Sequence, residues 1–208
     1  MAFLYDRVVA SAIGYLYDAL AEFFFADLAD GCRFLDLGCG SGQVSLRIAR
    51  QNPQAQVVGI DLAAGQIARA KKRSQGMTNL TFEIGNAMNL HLPDNSFDIV
   101  LSVASIKHWP DMSQGIHEMT RVCKPEGHVW VIEVDTHCTD EEAENFVATW
   151  KLVPGTRPLI RRYFQNFVSN QGLNLKELEE LLRKANLKDV YVQRIPDHPF
   201  IIGTGIKK

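Results

Sequence analysis

At 208 residues the chain has the length of one domain with a sizeable core, and its 46% hydrophobic and 22% charged residues are ordinary for a globular protein. A net charge of -2 leaves no basic excess, which argues against a nucleic-acid binder. The four cysteines (Cys32, Cys39, Cys123 and Cys138) form no C-x-x-C pair and match no zinc spacing, so no metal centre is expected and the compartment reads as reducing.

The N-terminal residues 1–30 read as an amphipathic helical segment, with Ile13, Leu16, Leu20, Phe24 and Leu28 at helical spacing. Asp6, Asp18 and Glu22 interrupt it and no basic stretch precedes it, so it does not read as a secretory signal. No apolar run approaches the ~18 residues of a membrane span, and a cytoplasmic location is expected. Next come a short apolar run at 32–37 ending in glycines, read as a buried strand, and a helix over 43–50 stopped by Pro53. A strand at 56–60, a helix at 63–73 and a strand at 80–84 repeat the alternation. The turn signal Pro93-Asp94-Asn95-Ser96 precedes a fourth strand at 97–103. Asp111 with Gln114 three residues on caps a helix that puts Met112, Ile116, Met119 and Cys123 on one face. Pro125 and Gly127 are expected to end that helix before a fifth strand at 128–134.

The last third has a different rhythm. Thr139 with Glu142 predicts a capping box and a helix to about residue 150, and a second helix is expected around 160–168 after a stretch punctuated by Pro and Gly. Asn174 and Glu177 cap a helix carrying Leu175, Leu178, Leu181 and Leu182. Two strands follow at 189–195 and 200–203. So short a link excludes a parallel pair with a helical crossover, and an antiparallel closing pair is expected. The whole predicts an α/β fold with a mostly parallel sheet covered on both faces.

The most informative segment is Leu35-Asp36-Leu37-Gly38-Cys39-Gly40-Ser41-Gly42, between a strand and a helix. Glycines there let the backbone turn sharply and approach a nucleotide-derived ligand. Gln43 stands where a dinucleotide fingerprint wants glycine, and the loop lacks the Gly-Lys-Ser/Thr ending of a P-loop. Asp61 ends the second strand, where a carboxylate can accept two hydrogen bonds from a ribose diol; its competing role is a helix N-cap.

The glycine loop, then Gly59-Ile60-Asp61-Leu62, Gly85-Asn86-Ala87, Phe97-Asp98-Ile99-Val100 and 121–127 (Arg-Val-Cys-Lys-Pro-Glu-Gly) together closely resemble the class I S-adenosylmethionine-dependent methyltransferases. Within them the chain looks most like the small-molecule branch that includes the ubiquinone and menaquinone C-methyltransferases. The resemblance covers residues 34–133 and implies a Rossmann-like seven-stranded sheet with an antiparallel last strand, in a three-layer α-β-α sandwich. It implies one methyltransferase domain over 1–208, with 1–30 as a helical lid and 139–175 as a substrate cover between strands 5 and 6. Asp36, Gly38, Cys39 and Gly40 would hold the methionine end of S-adenosyl-L-methionine, Asp61 the ribose, and Leu62 would lie against the adenine. Asn86, with Ala87 beside it, stands where the family usually has an acid meeting the adenine amino group; an amide oxygen can accept the same bond. Ser102 and Ala104 match positions whose backbone contacts the methionine moiety. S-adenosyl-L-homocysteine would be the product.

On the acceptor side, Lys107 and His108 read as a pocket-facing pair, with His108 the candidate general base and a loop-bonded structural histidine its competing reading. Trp109 before Pro110 reads as packing. Tyr5, Tyr15 and Tyr17 are candidates for reaching the site from the lid. Arg157, Arg161, Arg162 and Lys151 form a basic cluster in the cover, read first as a solvated face and otherwise as a receptor for an anionic acceptor. His137 and Cys138 read as loop residues. The expected partner is a small-molecule methyl acceptor at O, N, S or C. The alternatives are a cofactor-binding regulatory protein without transfer activity, and a lipid or macromolecule methyltransferase.

Overall fold

The computed structural model describes residues 31–149, 156–164 and 171–208. The expected N-terminal helix, with its three tyrosines, and Lys151 therefore lie outside the described residues.

Seven strands form one sheet: β1 (Arg33–Leu37), β2 (Gln56–Asp61), β3 (Leu80–Ile84), β4 (Phe97–Val103), β5 (Cys123–Val134), β6 (Leu187–Arg194) and β7 (Phe200–Lys207), in the order β3-β2-β1-β4-β5-β7-β6. The first five are parallel, while β7 lies antiparallel to both β5 and β6. The expected closing pair is therefore present. The chain reverses its direction of travel across the sheet between β1 and β4, and the crevice beyond the carboxyl ends of such neighbours is where open α/β sheets bind ligands.

Helices α1 (Gln43–Gln51), α2 (Ala64–Arg73), α3 (Met112–Val122), α4 (Asp140–Ala148), α5 (Arg157–Tyr163) and α6 (Leu175–Arg183) flank the sheet. Leu46 and Ile48 of α1, Ile67 of α2 and Phe146 of α4 pack with Phe34, Leu101 and Ile132 on one face. Ile116 and Met119 of α3 and Leu178 and Leu182 of α6 pack with Leu35, Leu37, Val100 and Val131 on the other. Burying each such aliphatic side chain stabilises by roughly 1.5–3 kcal/mol. Because β1 is covered on both faces, Phe34 through Leu37 are all buried, which is why it reads as a continuous apolar run broken only by Asp36.

The caps follow the sequence. Asp111 accepts from the Gln114 amide at 2.9 Å, and complete capping boxes join Thr139 to Glu142 and Asn174 to Glu177. Some boundaries differ from expectation. Strand β5 begins at Cys123, directly after α3 ends at Val122, so Pro125 and Gly127 lie inside a strand instead of in a link, and Cys123 is a strand residue. β7 runs past Gly203 to Lys207. Helix α5 (Arg157–Tyr163) starts earlier than expected, with Pro158 in its first turn where the missing N–H is harmless, and the expected end around 168 lies outside the described residues. No helix among the described residues is long and apolar enough to cross a membrane.

Candidate active site

The glycine loop leaves the end of β1 in a tight reversal. The amides of Gly38 and Cys39 both donate to the Ile60 carbonyl, at 2.7 and 3.0 Å, which ties the loop to the end of β2. Gly38 has φ +77° and Gly40 φ +53°, left-handed values that side chains of L-residues disfavour. A Cβ on Gly38 would stand 1.9 Å from the Ser105 Oγ, so the loop is pressed against the segment following β4. A Cβ on Gly40 would meet nothing within 4 Å among the described residues, so that side of the loop leaves room for a ligand beside it. Gly42 begins α1 without a side-chain cap, leaving the helix N-terminus to the loop.

Asp61 is the last residue of β2, and its two carboxylate oxygens are oriented by different amides: Oδ2 accepts from Gly40 at 2.8 Å and Oδ1 from Ala63 at 2.8 Å. The helix N-cap is Ala63, not Asp61, so the competing role is filled only as a bond to the turn. Each oxygen keeps a further lone pair for a diol. Beside it Leu62 is 71% exposed and Ile84, at the end of β3, is 60% exposed, two bare apolar side chains at the strand ends on that side of the crevice. The Asp61 carbonyl accepts from Gly85, and Asn86 follows. The Asn86 Oδ1 accepts from Met88 at 3.0 Å, and Gln114 of α3 donates to the Met88 carbonyl, which steadies the segment carrying Asn86 and Ala87.

Asp36 lies beneath the loop, not on its surface. It is buried, and its Oδ2 accepts from the Ser45 hydroxyl of α1 at 2.5 Å. Burial raises its carboxyl from the ordinary 3.8 to about 6; the Ser45 bond opposes the rise and Asp61 adds to it. The folded protein thus binds this proton more tightly than the unfolded chain does. The associated stability is complete below pH 3.8 and is lost as pH rises through about 6. Asp36→Asn is therefore expected to match the parent in chemical denaturation at pH 4 and to exceed it by up to about 3 kcal/mol at pH 8. Equal stabilities at both pH values would show that burial does not strain this carboxylate. Cys39 is buried, and its thiol is pushed far up by burial and the two nearby carboxylates, so the thiol is inert.

After β4 the chain turns back at Ala104, whose φ is +50° and whose amide donates to Ile132 of β5. Such a value in a residue with a Cβ marks a backbone held by its surroundings; the next residue, Ser105, lies against Gly38 of the glycine loop. Ser102, just before it, is wholly buried, and its Oγ has no hydrogen-bond partner among the described residues. Ile106–His108 form a 3-10 turn, with the His108 amide donating to Ser105 and that of Trp109 to Ile106. Trp109 packs over Gly115 of α3, where a Cβ would meet its ring at 2.2 Å, so the packing reading of this tryptophan holds.

The expected pocket-facing pair divides. His108 is exposed, and its imidazole is held below its ordinary range by burial of part of the ring and by the charge of Lys107, with Glu133 opposing, so it is neutral near pH 7. Lys107 instead turns inward: its side chain is 6% exposed and its Nζ lies 3.1 Å from the Glu133 Oε1, on a carboxylate that is 0% exposed. The Glu133 Oε1 also accepts from the Val134 amide at 2.8 Å. An ion this deep needs its partner, since leaving one member alone costs roughly 3–5 kcal/mol. Glu133 was not singled out in the sequence, although a carboxylate inside the apolar run Val-Trp-Val-Ile-Glu-Val demands a buried cation.

Beyond β5, Asp135 is buried and accepts from the Arg194 Nε at 2.6 Å, while Arg194 also donates to Glu142 of α4. A cleft of about 290 Å³ opens here, lined by Asp135, His137, Asn174, Leu175, Lys176 and Arg194. Of the basic cluster in the cover, Arg157 and Arg162 are exposed and Arg161 lies 3.6 Å from Glu144. No group of three or more His, Cys, Asp or Glu suited to a metal ion occurs among the described residues.

A seven-stranded sheet with this order, a glycine loop at its switch point and a diol-ready carboxylate one strand over define an S-adenosylmethionine-dependent methyltransferase of class I. The methyltransferase-domain family profile matches residues 28–186, and the chain belongs to that family. Demethylmenaquinone methyltransferase of Lactobacillus johnsonii is 29% identical over 184 residues, covering 84% of this chain and 75% of that protein. The ubiquinone/menaquinone biosynthesis C-methyltransferase of Geobacter sulfurreducens is 37% identical over 112 residues, covering 52% of this chain and 44% of that one. The chain thus spans less than half the length of the second relative. A SAM-dependent methyltransferase from Aquifex aeolicus has the same fold, with a TM-score of 0.69 at 15% identity over 98% of this chain and 93% of that one.

Proposed function

We propose that the chain methylates a small-molecule acceptor at O, N, S or C, with Asp36, Gly38, Cys39, Gly40, Asp61, Leu62, Asn86, Ala87, Ser102 and Ala104 forming the cofactor site and His108 serving the acceptor. The observation that carries the reading is the contact of Gly38 with Ser105, which sets the cofactor loop against the turn bearing a neutral, exposed imidazole. When bound, S-adenosyl-L-methionine supplies a methyl group already activated on a sulfonium sulfur and leaves as S-adenosyl-L-homocysteine. The protein's work is then alignment, for which ideal positioning is worth about 7–11 kcal/mol, and removal of a proton where the nucleophile arrives protonated. A neutral His108 can take that proton; an imidazolium cannot.

The acceptor in one relative's name, demethylmenaquinone, and the other's place in ubiquinone/menaquinone biosynthesis favour a small organic acceptor over a macromolecule, as does the absence of a basic excess. Both relatives are methyltransferases, which disfavours a binder without transfer activity. In this reading the described residues belong to one methyltransferase domain, α4 and α5 belong to the acceptor cover, and Arg157 and Arg162, exposed on α5, can meet an anionic group. A cytoplasmic setting fits the four cysteines, none of which is in a disulfide.

Incubating the protein with methyl-labelled cofactor and a panel of small acceptors, demethylmenaquinone among them, is expected to yield a labelled small molecule. Label found only in protein or nucleic acid would refute the acceptor class. With the acceptor in hand, His108→Ala is expected to lower kcat by about 10²–10⁴-fold while affinity for S-adenosylhomocysteine stays unchanged. An unchanged kcat would remove His108 from the reaction.

A further inference from the structure

We propose that Lys107 is a positioning residue: clamped by the buried carboxylate of Glu133, it sets the orientation and the electrostatic surroundings of His108 beside it. The proposal rests on the reading of His108 as the acceptor-side base and concerns how that base is held.

The geometry is a two-point clamp. The Glu133 Oε1 receives the Lys107 ammonium at 3.1 Å, and its Oε2 lies 3.4 Å from the Lys107 amide nitrogen, so one carboxylate engages both ends of the residue. Glu133 is itself fixed, since it sits in β5 between Ile132, whose carbonyl bonds Ala104, and Val134, whose amide bonds the Glu133 Oε1. The residues around His108 are anchored as well. Ser105 lies against Gly38 and accepts from the His108 amide, Ile106 is fully buried, and Trp109 is wedged on Gly115. His108 is the one exposed residue of the 3-10 turn, projecting from a frame with little freedom.

The electrostatics have the same source. Among the described residues, the charged groups that act on His108 are Lys107 from its own turn and Glu133 from β5. Lys107 cannot escape into water to relax its effect, because its side chain is nearly enclosed. Its charge disfavours an imidazolium next door, and of the two opposing charges that of Lys107 has the larger effect. An exposed lysine at this place would be screened and mobile. The buried pair thus makes a permanent local field out of a side chain that would otherwise be a solvated surface charge.

The test is a pH titration of the His108 ring by NMR on the full chain with labelled histidine, saturated with S-adenosylhomocysteine, its signal assigned among the six histidines by its loss in His108→Gln. Lys107→Met is expected to move the His108 titration to higher pH and Glu133→Gln to lower pH, while Lys107→Arg, which keeps the charge, leaves it near the parent. The double variant Lys107→Met/Glu133→Gln removes both buried charges, so it keeps the proposal testable if a single variant does not fold. It is expected to titrate above the parent but below Lys107→Met. Titration at the parent pH in Lys107→Met, or in the double variant, overturns the proposal. Turnover of His108→Ala tests the base itself, so a failed base and a failed clamp give different results.

Discussion

Replacing Asp61 with alanine lowers the affinity for S-adenosylhomocysteine by roughly 10²-fold or more in a calorimetric titration, on the loss of two hydrogen bonds to a carboxylate at about 1.5–3 kcal/mol each. The direct part is the ribose diol, which needs two acceptor sites held side by side. The indirect part is the loop. With the carboxylate gone, the amides of Gly40 and Ala63, each bonded to it at 2.8 Å, lose the partner that orients them, and the cradle loosens where it meets the ligand. Asp61→Asn separates the two parts, because its single carbonyl oxygen can serve one of those amides but not both. Its affinity is expected to lie between those of the parent and Asp61→Ala. Parental affinity in Asp61→Ala would sink the ribose assignment, because Asp61 is the carboxylate that ends β2 and bonds the glycine loop.

The corner built on these residues was legible because each of its parts follows from local chemistry. Glycines mark the turn, an acid ends the next strand, and the strand-helix alternation forces a parallel sheet with its ligand crevice at the carboxyl edge. What was misread involves contacts that sequence spacing does not encode. Pro125 and Gly127 look like a helix stop, yet they belong to an irregular start of β5, where the register with β4 shifts between Phe97 and Ile99. Gly127 is needed there because a Cβ would stand 2.8 Å from the Asp98 carbonyl. Gly203 looks like the end of β7, yet the strand continues through Gly205: a Cβ on Gly203 would meet Leu182 at 2.5 Å and one on Gly205 would meet Leu187 at 3.0 Å. The glycines are the bed on which α6 and the β6 side chains lie, and the strand runs through them. Lys107 was misdirected for the complementary reason. Its partner is 26 positions away on β5, and its trace in the sequence is a glutamate inside the otherwise apolar run 129–134.

Gly38→Ala carries the other large effect, and it reaches both halves of the site. The added Cβ would stand 1.9 Å from the Ser105 Oγ and 2.6 Å from its Cβ, at a φ of +77° that an L-residue adopts at a cost of about 1–2 kcal/mol. Ser105 cannot move away alone, because its carbonyl holds the His108 amide at 2.9 Å and the preceding Ala104 is already in a left-handed conformation. Relief of the clash therefore displaces the acceptor turn as well as the cofactor loop. A destabilisation of about 3 kcal/mol lowers Tm by roughly 6–12 °C for a domain of this size, and cofactor affinity and turnover are expected to fall together. Gly40→Ala is the control. Its φ is also left-handed, but nothing among the described residues lies within 4 Å of the new methyl, so it is expected to lose less stability while still weakening cofactor binding. Gly38→Ala/Ser105→Gly removes the other side of the clash and is expected to recover most of the lost Tm, leaving only the conformational cost at residue 38. If the second substitution recovers nothing, the two segments are not in contact, and the acceptor turn is not registered on the cofactor loop through Ser105.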